Sequence, residues 1–132
     1  AIRRCEELTD RIATLPPSPA VVDAVDEISD TVCQVLDPAS LCRQVAVAEE
    51  WRAAALRVCI DMEGFVQTLN TNRVLFSALS ATVAAGDRQG GGFWEFPEQE
   101  TVARALLRDF HLGGIHLEAE AQERVSASTW RR

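Results

Sequence analysis

The sequence is short of basic residues and of long apolar runs, and each shortage removes a class of function. Its 13 basic residues stand against 20 acidic ones, which gives a net charge of −7. An acidic chain repels the phosphate backbones of nucleic acids and the anionic surfaces of bilayers, so we expect no nucleic-acid partner. No apolar run approaches the ~18 residues that a membrane-spanning helix needs, so we expect no membrane insertion.

Histidine is also scarce, which bears on metal chemistry. His111 and His116 are the two histidines, and Gly113-Gly114 lies between them. A helix that holds zinc from one face uses two histidines four residues apart, with a neighbouring Glu as general base. The histidines here lack that spacing, so we predict no catalytic, cofactor-binding or metal-binding residue. His116 is more simply interpreted as a corner residue that bonds a free carbonyl at a helix end.

The four cysteines do not form a recognisable metal or disulfide pattern. They are separated by 28, 9 and 17 residues, so no pair has C-x-x-C spacing. Each lies on or beside an apolar stripe, where a free thiol behaves as a small buried hydrophobe. We interpret them as reduced core residues, with Cys33 and Cys42 most able to approach each other across Asp37-Pro38. A metal- or redox-responsive module is the alternative.

Apolar residues recur at spacings of three and four along most of the chain, which predicts an all-α fold. With 132 residues, 47% of them hydrophobic and 25% charged, the composition is that of one globular domain. No segment shows the period-two alternation of a half-buried strand. We predict a single helical domain over residues 1–132, an antiparallel bundle of about six helices without a sheet.

Prolines mark several helix boundaries. The first helix should end at Leu15-Pro-Pro-Ser-Pro19, with Ser18 as the N-cap of the second helix and Pro19 at its first position. Asp37-Pro38 should end the second helix and begin a short helical turn. The strongest periodicity runs from Val47 to Leu69 and predicts the helix that organises the core. Asn70-Thr-Asn72 should interrupt or bend this helix.

Residues 86–96 are predicted to be a flexible glycine-rich loop followed by an aromatic arm. Gly90-Gly-Gly92 has no preceding strand and no following Lys-Ser/Thr, so it is a linker rather than a phosphate-binding loop. Phe93, Trp94 and Phe96 then form an aromatic cluster. Such a cluster beside a mobile loop can contact a partner. The simpler alternative is that the aromatics fold back onto the chain's own core.

The segment Arg108–Leu117 is typical of a helix that stops on a glycine pair and restarts as a second amphipathic helix, which continues towards Arg124. One of the two glycines, Gly113 or Gly114, is expected to adopt a positive φ, as helix C-termini commonly require. Ile115 and Leu117 then supply apolar side chains. By itself this is a common helical corner.

Three segments together resemble the N-terminal helical region of the thimet oligopeptidase family of zinc metallopeptidases, nearest to its mitochondrial intermediate peptidase branch. They are Asp26-Glu-Ile-Ser-Asp30, Leu69-Asn-Thr-Asn72 and a third segment similar to F-x-x-x-G-[IL]-H-L-x-x-E-x-x-x-R. The resemblance extends from about Ala1 to Val125. The residues that it marks as structural signatures are Phe110, Gly114, His116, Leu117, Glu120, Arg124, Asn70 and Asn72.

This resemblance implies a non-catalytic N-terminal domain or fragment. In the family, a zinc endopeptidase cleaves short peptides, its mitochondrial branch trims imported precursors, and the helical part roofs a deep channel. Zinc would then be held only by a longer parent protein, and this chain alone would not be an enzyme. The implied location is the mitochondrial matrix, with a targeting segment that is not present in this chain.

The implied partners are the catalytic remainder of the peptidase or another protein subunit. Basic presequence peptides are a further candidate, because an acidic surface attracts them; acids that only keep the surface soluble are the plainer alternative. A different class of function also remains open. The chain is then a stand-alone, catalytically inactive derivative that acts as an accessory subunit or peptide-binding adaptor in an organellar complex.

Overall fold

Prolines and short polar links divide the chain into helices, which a computed structural model describes for residues 1–116. The helices are α1 (Ile2–Thr14), α2 (Pro19–Val45), α3 (Glu49–Asn70), α4 (Arg73–Gln89) and α5 (Pro97–Leu112). None of the described residues lies in a β-strand, so the all-α class is confirmed for this part of the chain. No helix within it is both long and apolar enough to cross a membrane.

The core lies where α1, α4 and the first half of α2 face one another. α1 contributes Cys5, Leu8 and Ile12, whose spacing places them on one helical face. α4 contributes Leu75 and Leu79 at a matching spacing. Burying one such side chain is worth ~1.5–3 kcal/mol, so these stripes supply much of the packing energy. Further buried apolar side chains from α2 to α5 complete the core: Val21, Val22, Val25, Ile28, Val32, Met62, Val83, Ala103, Phe110.

The boundary between α1 and α2 follows from its prolines. Leu15 has an extended backbone (φ −78°, ψ 138°), because a following proline disfavours the helical conformation of the residue before it. Ser18 occupies the N-cap of α2 and Pro19 follows at the start of the helix, as predicted. The Ser18 side chain makes no capping hydrogen bond, so its position rather than its hydroxyl marks the start of the helix.

α2 continues through Pro38, so the prediction that it ends at Asp37-Pro38 is wrong. Pro38 has no N–H to donate to the carbonyl of Gln34, which is a local cost. α2 and α3 make the most extensive helix–helix contact among the described residues. We attribute the uninterrupted helix to this packing, which outweighs the local backbone preference.

Five helices therefore occupy the described residues, rather than about six for the whole chain. One difference is the fusion at Pro38. The helix expected after the glycine pair would include residues 117–124, which lie outside the described residues. α4 also extends to Gln89, so residues 86–89 are helical and the connection to α5 is residues 90–96.

α3 does not organise the core, contrary to the prediction from its periodicity. Only Ala55, Cys59 and Met62 of this helix are buried. Trp51, on the same stripe, is 65% exposed, and Val47 precedes the helix and is 95% exposed. The reason is position: α3 packs mainly on α2, and no other described helix makes a comparable contact with it.

A buried glutamine connects three parts of the fold. The Gln99 side-chain amide on α5 donates to Asp23 Oδ1 on α2 over 3.0 Å. Its carbonyl oxygen Oε1 accepts from the backbone N–H of Glu95, also over 3.0 Å. Both ends of this buried side chain are thus satisfied, as burial of a polar group requires. The bonds hold the 90–96 connection and the start of α5 against α2.

Candidate functional site

The three signature segments meet at one corner of the fold. A crevice of about 300 Å³ opens between α2, α3, α5 and the start of α4. Ile28 and Ser29 come to it from the first segment, Leu69 and Asn70 from the second, and Phe110 from the third. Segments far apart in sequence therefore line one crevice. The rest of its lining is mostly apolar: Val25, Val32, Cys33, Leu36, Val66, Leu75, Leu106, Asp109.

The Phe-x-x-x-Gly-Ile signature forms a helix-ending structure at this corner. Gly114 has a φ of +84°, which costs glycine almost nothing. The N–H of Ile115 donates to the carbonyl of Phe110 over 3.2 Å, and the N–H of Gly114 donates to that of His111 over 3.1 Å. This pair of bonds is the Schellman motif, which is usually sealed by an apolar contact across the helix end. Phe110 and Ile115 are both buried, as that seal requires.

The Leu-Asn-Thr-Asn segment forms the neighbouring turn. Asn72 is the N-cap of α4, and its side-chain oxygen accepts from the N–H groups of Val74 (2.9 Å) and Leu75 (3.2 Å). Asn70 lies against the glycine pair: a Cβ placed on Gly113 would be 3.5 Å from the Asn70 Cβ. One asparagine therefore starts a helix, and the other packs against the end of α5.

Aromatic rings extend the corner across α4 and α5. The Phe76 ring meets Phe110 edge-on with centroids 5.9 Å apart, and it meets His111 at 5.3 Å. His116 is exposed, with its ring 5.9 Å from that of His111. The backbone N–H groups of residues 113–115, rather than the His116 imidazole, bond the carbonyls at the end of α5.

The side chains at this corner can be tested for the ability to hold a metal ion. Within residues 1–116, no three His, Cys, Asp or Glu side chains come close enough together to hold a metal ion. The donor set described here therefore does not fit a zinc site. The signature residues Leu117, Glu120 and Arg124 lie outside the described residues, and their roles stay predictions.

The aromatic arm is divided between packing and exposure. Trp94 packs against the core beside Gly86, and Phe93 meets the Trp94 ring edge-on at 4.9 Å. Phe96, the N-cap residue of α5, is 49% exposed. Trp94 thus follows the alternative in which the aromatics fold back onto the chain. The structure leaves Phe96 as the residue most available to a partner; that contact, and the mobility of the loop, stay predictions.

The cysteines are free, but only two of them are core residues. Cys5 and Cys59 are buried, whereas Cys33 is exposed and Cys42 is half-buried. Burial raises the pKa of the Cys5 thiol above its ordinary value. Cys33 and Cys42 lie nine residues apart on the continuous α2, about 13 Å along its axis, so they cannot approach each other as expected.

One apolar surface was not predicted from the sequence. It surrounds the connection between α2 and α3, and we call it the hairpin tip: Leu41, Val45, Val47 and Trp51. These side chains are between 60% and 95% exposed. Their spacing resembles that of core residues, so no sequence signal separated them from the buried stripe.

Comparison with known proteins points to one group of peptidases. The chain is 38% identical over 129 residues to the mitochondrial intermediate peptidase of Arabidopsis thaliana, which is 98% of the chain and 17% of that protein. It is 35% identical over 125 residues to the Homo sapiens protein of the same name (95% of the chain, 17% of the relative). For one from Cryptococcus neoformans the identity is 36% over 122 residues (88% and 16%).

The match is thus nearly complete for this chain but partial for the relatives, of whose length the chain spans about a sixth. No protein-family model matches the chain. No solved structure matches it either.

Proposed function

Because nearly the whole chain is homologous to one segment of the mitochondrial intermediate peptidases, which belong to the thimet oligopeptidase family, we propose that it is the N-terminal, non-catalytic helical part of such a zinc metalloendopeptidase. The longer protein processes imported mitochondrial precursor proteins and peptides. This part supplies scaffold rather than chemistry.

The extent of the homology carries this proposal. Identity of 32–38% over at least 95% of the chain, in relatives from a plant and from mammals, is more than a shared helical pattern produces. The structure adds a physical reason for the signature residues. The glycine corner at Gly114 and the N-cap at Asn72 set how α4 and α5 meet, which a scaffold has to define.

Zinc, in this proposal, is held by residues outside the described segment. The metal would supply a Lewis acid and an activated water there. The described helices would roof the channel through which a peptide reaches it. The relatives are named as mitochondrial peptidases. We therefore propose that the longer protein lies in the mitochondrion and, more specifically, in its matrix.

The net charge of −7 supports basic presequence peptides as ligands of the acidic surface of this chain. An exposed charge interaction weakens as salt screens it. Binding of such a peptide should therefore fall as ionic strength rises. Affinity that does not change with salt would argue against the acidic surface as its site.

The decisive experiment starts from the reading frame after Arg132. We expect an H-E-x-x-H segment downstream. The full-length protein should contain one zinc and cleave a basic presequence peptide, and a chelator should abolish the cleavage. Replacing the Glu of that segment is the matched control, because it removes the general base and leaves the metal ligands. A full-length protein with the motif but without chelator-sensitive cleavage would contradict the proposal.

A stand-alone accessory subunit or peptide-binding adaptor is the second candidate. The exposed hairpin tip favours it, because a stable partner could cover that apolar surface. A stop codon soon after Arg132 in the transcript would support this candidate over the first.

A further inference from the structure

The hairpin tip brings four exposed apolar side chains together around one helix connection. Leu41, Val45 and Trp51 are 60%, 65% and 65% exposed, and Val47 at 95% is almost entirely in solvent. Single exposed apolar residues are normal, but a contiguous group usually marks an interaction surface. Three more large apolar side chains of α3 are also exposed: Leu56, Val58, Ile60.

The tip is held in place by its own bonds. The Arg52 guanidinium donates to the backbone carbonyls of Ala46 (2.7 Å) and Val47 (2.8 Å). It also pairs with Glu49 in the first turn of α3. These bonds occupy the carbonyls of the connection and fix its path. The apolar side chains are therefore presented on an ordered turn rather than on a loose loop.

The size of the tip indicates what kind of surface can cover it. A stable complex between separate proteins needs about 800 Å² and ~20–30 residues from each partner. Four side chains around one helix connection fall well short of that. A surface in the same polypeptide does not have to offset the full entropic cost of association, because tethering supplies a high effective concentration. A patch of this size therefore suits a surface of the same polypeptide better than a separate partner.

Two more observations disfavour a second copy of this chain as the occupant. A two-fold dimer needs a patch that is complementary to itself. The tip is convex, since it is the end of a helix pair with its central side chain 95% exposed. Such a shape fits a concave surface elsewhere. The relatives are long enough to form such a concave surface elsewhere, because the homologous segment is only about 17% of each.

We propose that the hairpin tip docks into an apolar recess formed by the part of the longer peptidase that lies outside these 132 residues. This inference rests on the proposed function. It adds that α2 and α3 act as a wedge that attaches the helical roof to the rest of the enzyme. Val47 and Trp51 are its central contacts, and Trp is a residue that commonly anchors interfaces.

The test uses the full-length polypeptide with a photo-reactive benzoylphenylalanine in place of Trp51. Illumination should give crosslinks to residues outside 1–132 of the same polypeptide, mapped by mass spectrometry. Val47→Glu should remove most of that crosslink, because it places a charge in the recess. Val74→Glu is the matched control: the same change at an exposed position of α4, away from the tip, should leave the yield unchanged.

Each other result overturns the docking. Crosslinks to a second copy, crosslinks to a different protein, or no crosslink at all would each contradict docking into the recess. An equal loss of yield in both glutamate variants would contradict it as well.

The two proposals fail separately. A chelator-sensitive peptidase whose tip crosslinks to nothing refutes the docking alone. If the longer polypeptide lacks the zinc motif but its hairpin tip crosslinks outside residues 1–132, only the proposed function is refuted. If the reading frame ends directly after Arg132, both proposals are refuted.

Discussion

The two halves of α2 have similar apolar content but very different surroundings. Its first half buries six residues between Val21 and Val32. After Val32 none of its residues is buried, and Leu41 and Val45 are mostly in solvent. The difference lies in the neighbours. α1 and α5 contact the first half, through Cys5 at Ile28 and Gln99 at Asp23, whereas Cys42 in the second half lies beside Trp51 of α3. A helical apolar stripe thus shows which face of the helix can be buried. Whether that face is buried depends on the neighbouring helices.

The largest contrast should appear when apolar bulk is removed from each region. Leu79→Ala, at a fully buried position of α4, should lower the free energy of unfolding by about 2–5 kcal/mol, because it leaves a cavity. Val47→Ala, in the hairpin tip, should change it by no more than about 0.5 kcal/mol. Urea denaturation followed by far-UV circular dichroism measures both. Similar losses at the two positions would mean that the tip is packed in the isolated chain.

A second pair of variants compares a tight glycine with an open one. A Cβ on Gly86 would lie 2.9 Å from Trp94 Cζ2, so Gly86→Ala should destabilise by about 1–3 kcal/mol unless the ring moves aside. Nothing lies within 4 Å of a Cβ on Gly64 in α3, so Gly64→Ala should stabilise by about 0.5–1 kcal/mol through helix propensity.

Opposite signs in the same denaturation assay would confirm that α4 is closely covered and α3 is not. Adding Trp94→Ala to Gly86→Ala should recover part of the loss that the contact causes, as a double-mutant cycle would show. A penalty that is unchanged in this background would point to a backbone effect instead.

The smallest effect concerns the cysteine thiols. Cys42, beside the tip, should be alkylated at least about tenfold faster than Cys5, which reacts only when the core opens. Because burial raises the pKa of Cys5, the unfolded thiol ionises first. The stability from this neutral thiol is complete below the ordinary thiol pKa and is lost as pH rises through the raised value.

The free energy of unfolding should accordingly decline as pH rises above the ordinary thiol pKa of about 8.5. Cys5→Ala should remove that part of the decline, and Cys33→Ala, at an exposed position, should leave it unchanged. An identical slope in both variants would assign the decline to other groups.

Several features of the signature corner were predictable because local bonding decides them. A glycine with positive φ after α5 and an interruption at residues 70–72 are both present. The bonds involved connect residues five or fewer apart, so the sequence pattern carries the information. The convergence of the three segments on one crevice was less accessible, since spacing along the chain does not report distance between helices.

The wrong predictions share another cause. Pro38 was expected to stop a helix, and α3 was expected to lead the core, both on local grounds. In each case a tertiary contact, or its absence, decided the outcome. α2 continues past its proline beside α3, and α3 leaves the Trp51 side chain 65% exposed although Cys42 of α2 lies against its backbone carbonyl. The peptidase resemblance held because it rested on the identity of residues rather than on their burial.

Residue order alone was thus sufficient for the helical class, for most helix boundaries and for the kinship with a peptidase segment. These depend on backbone preferences, capping and residue identity within a few positions. Packing in three dimensions decided which apolar stripes became core, which thiols stayed accessible, and that the end of the α2–α3 pair remains uncovered. Burial is a property of neighbours distant in sequence, and a one-dimensional pattern does not record them.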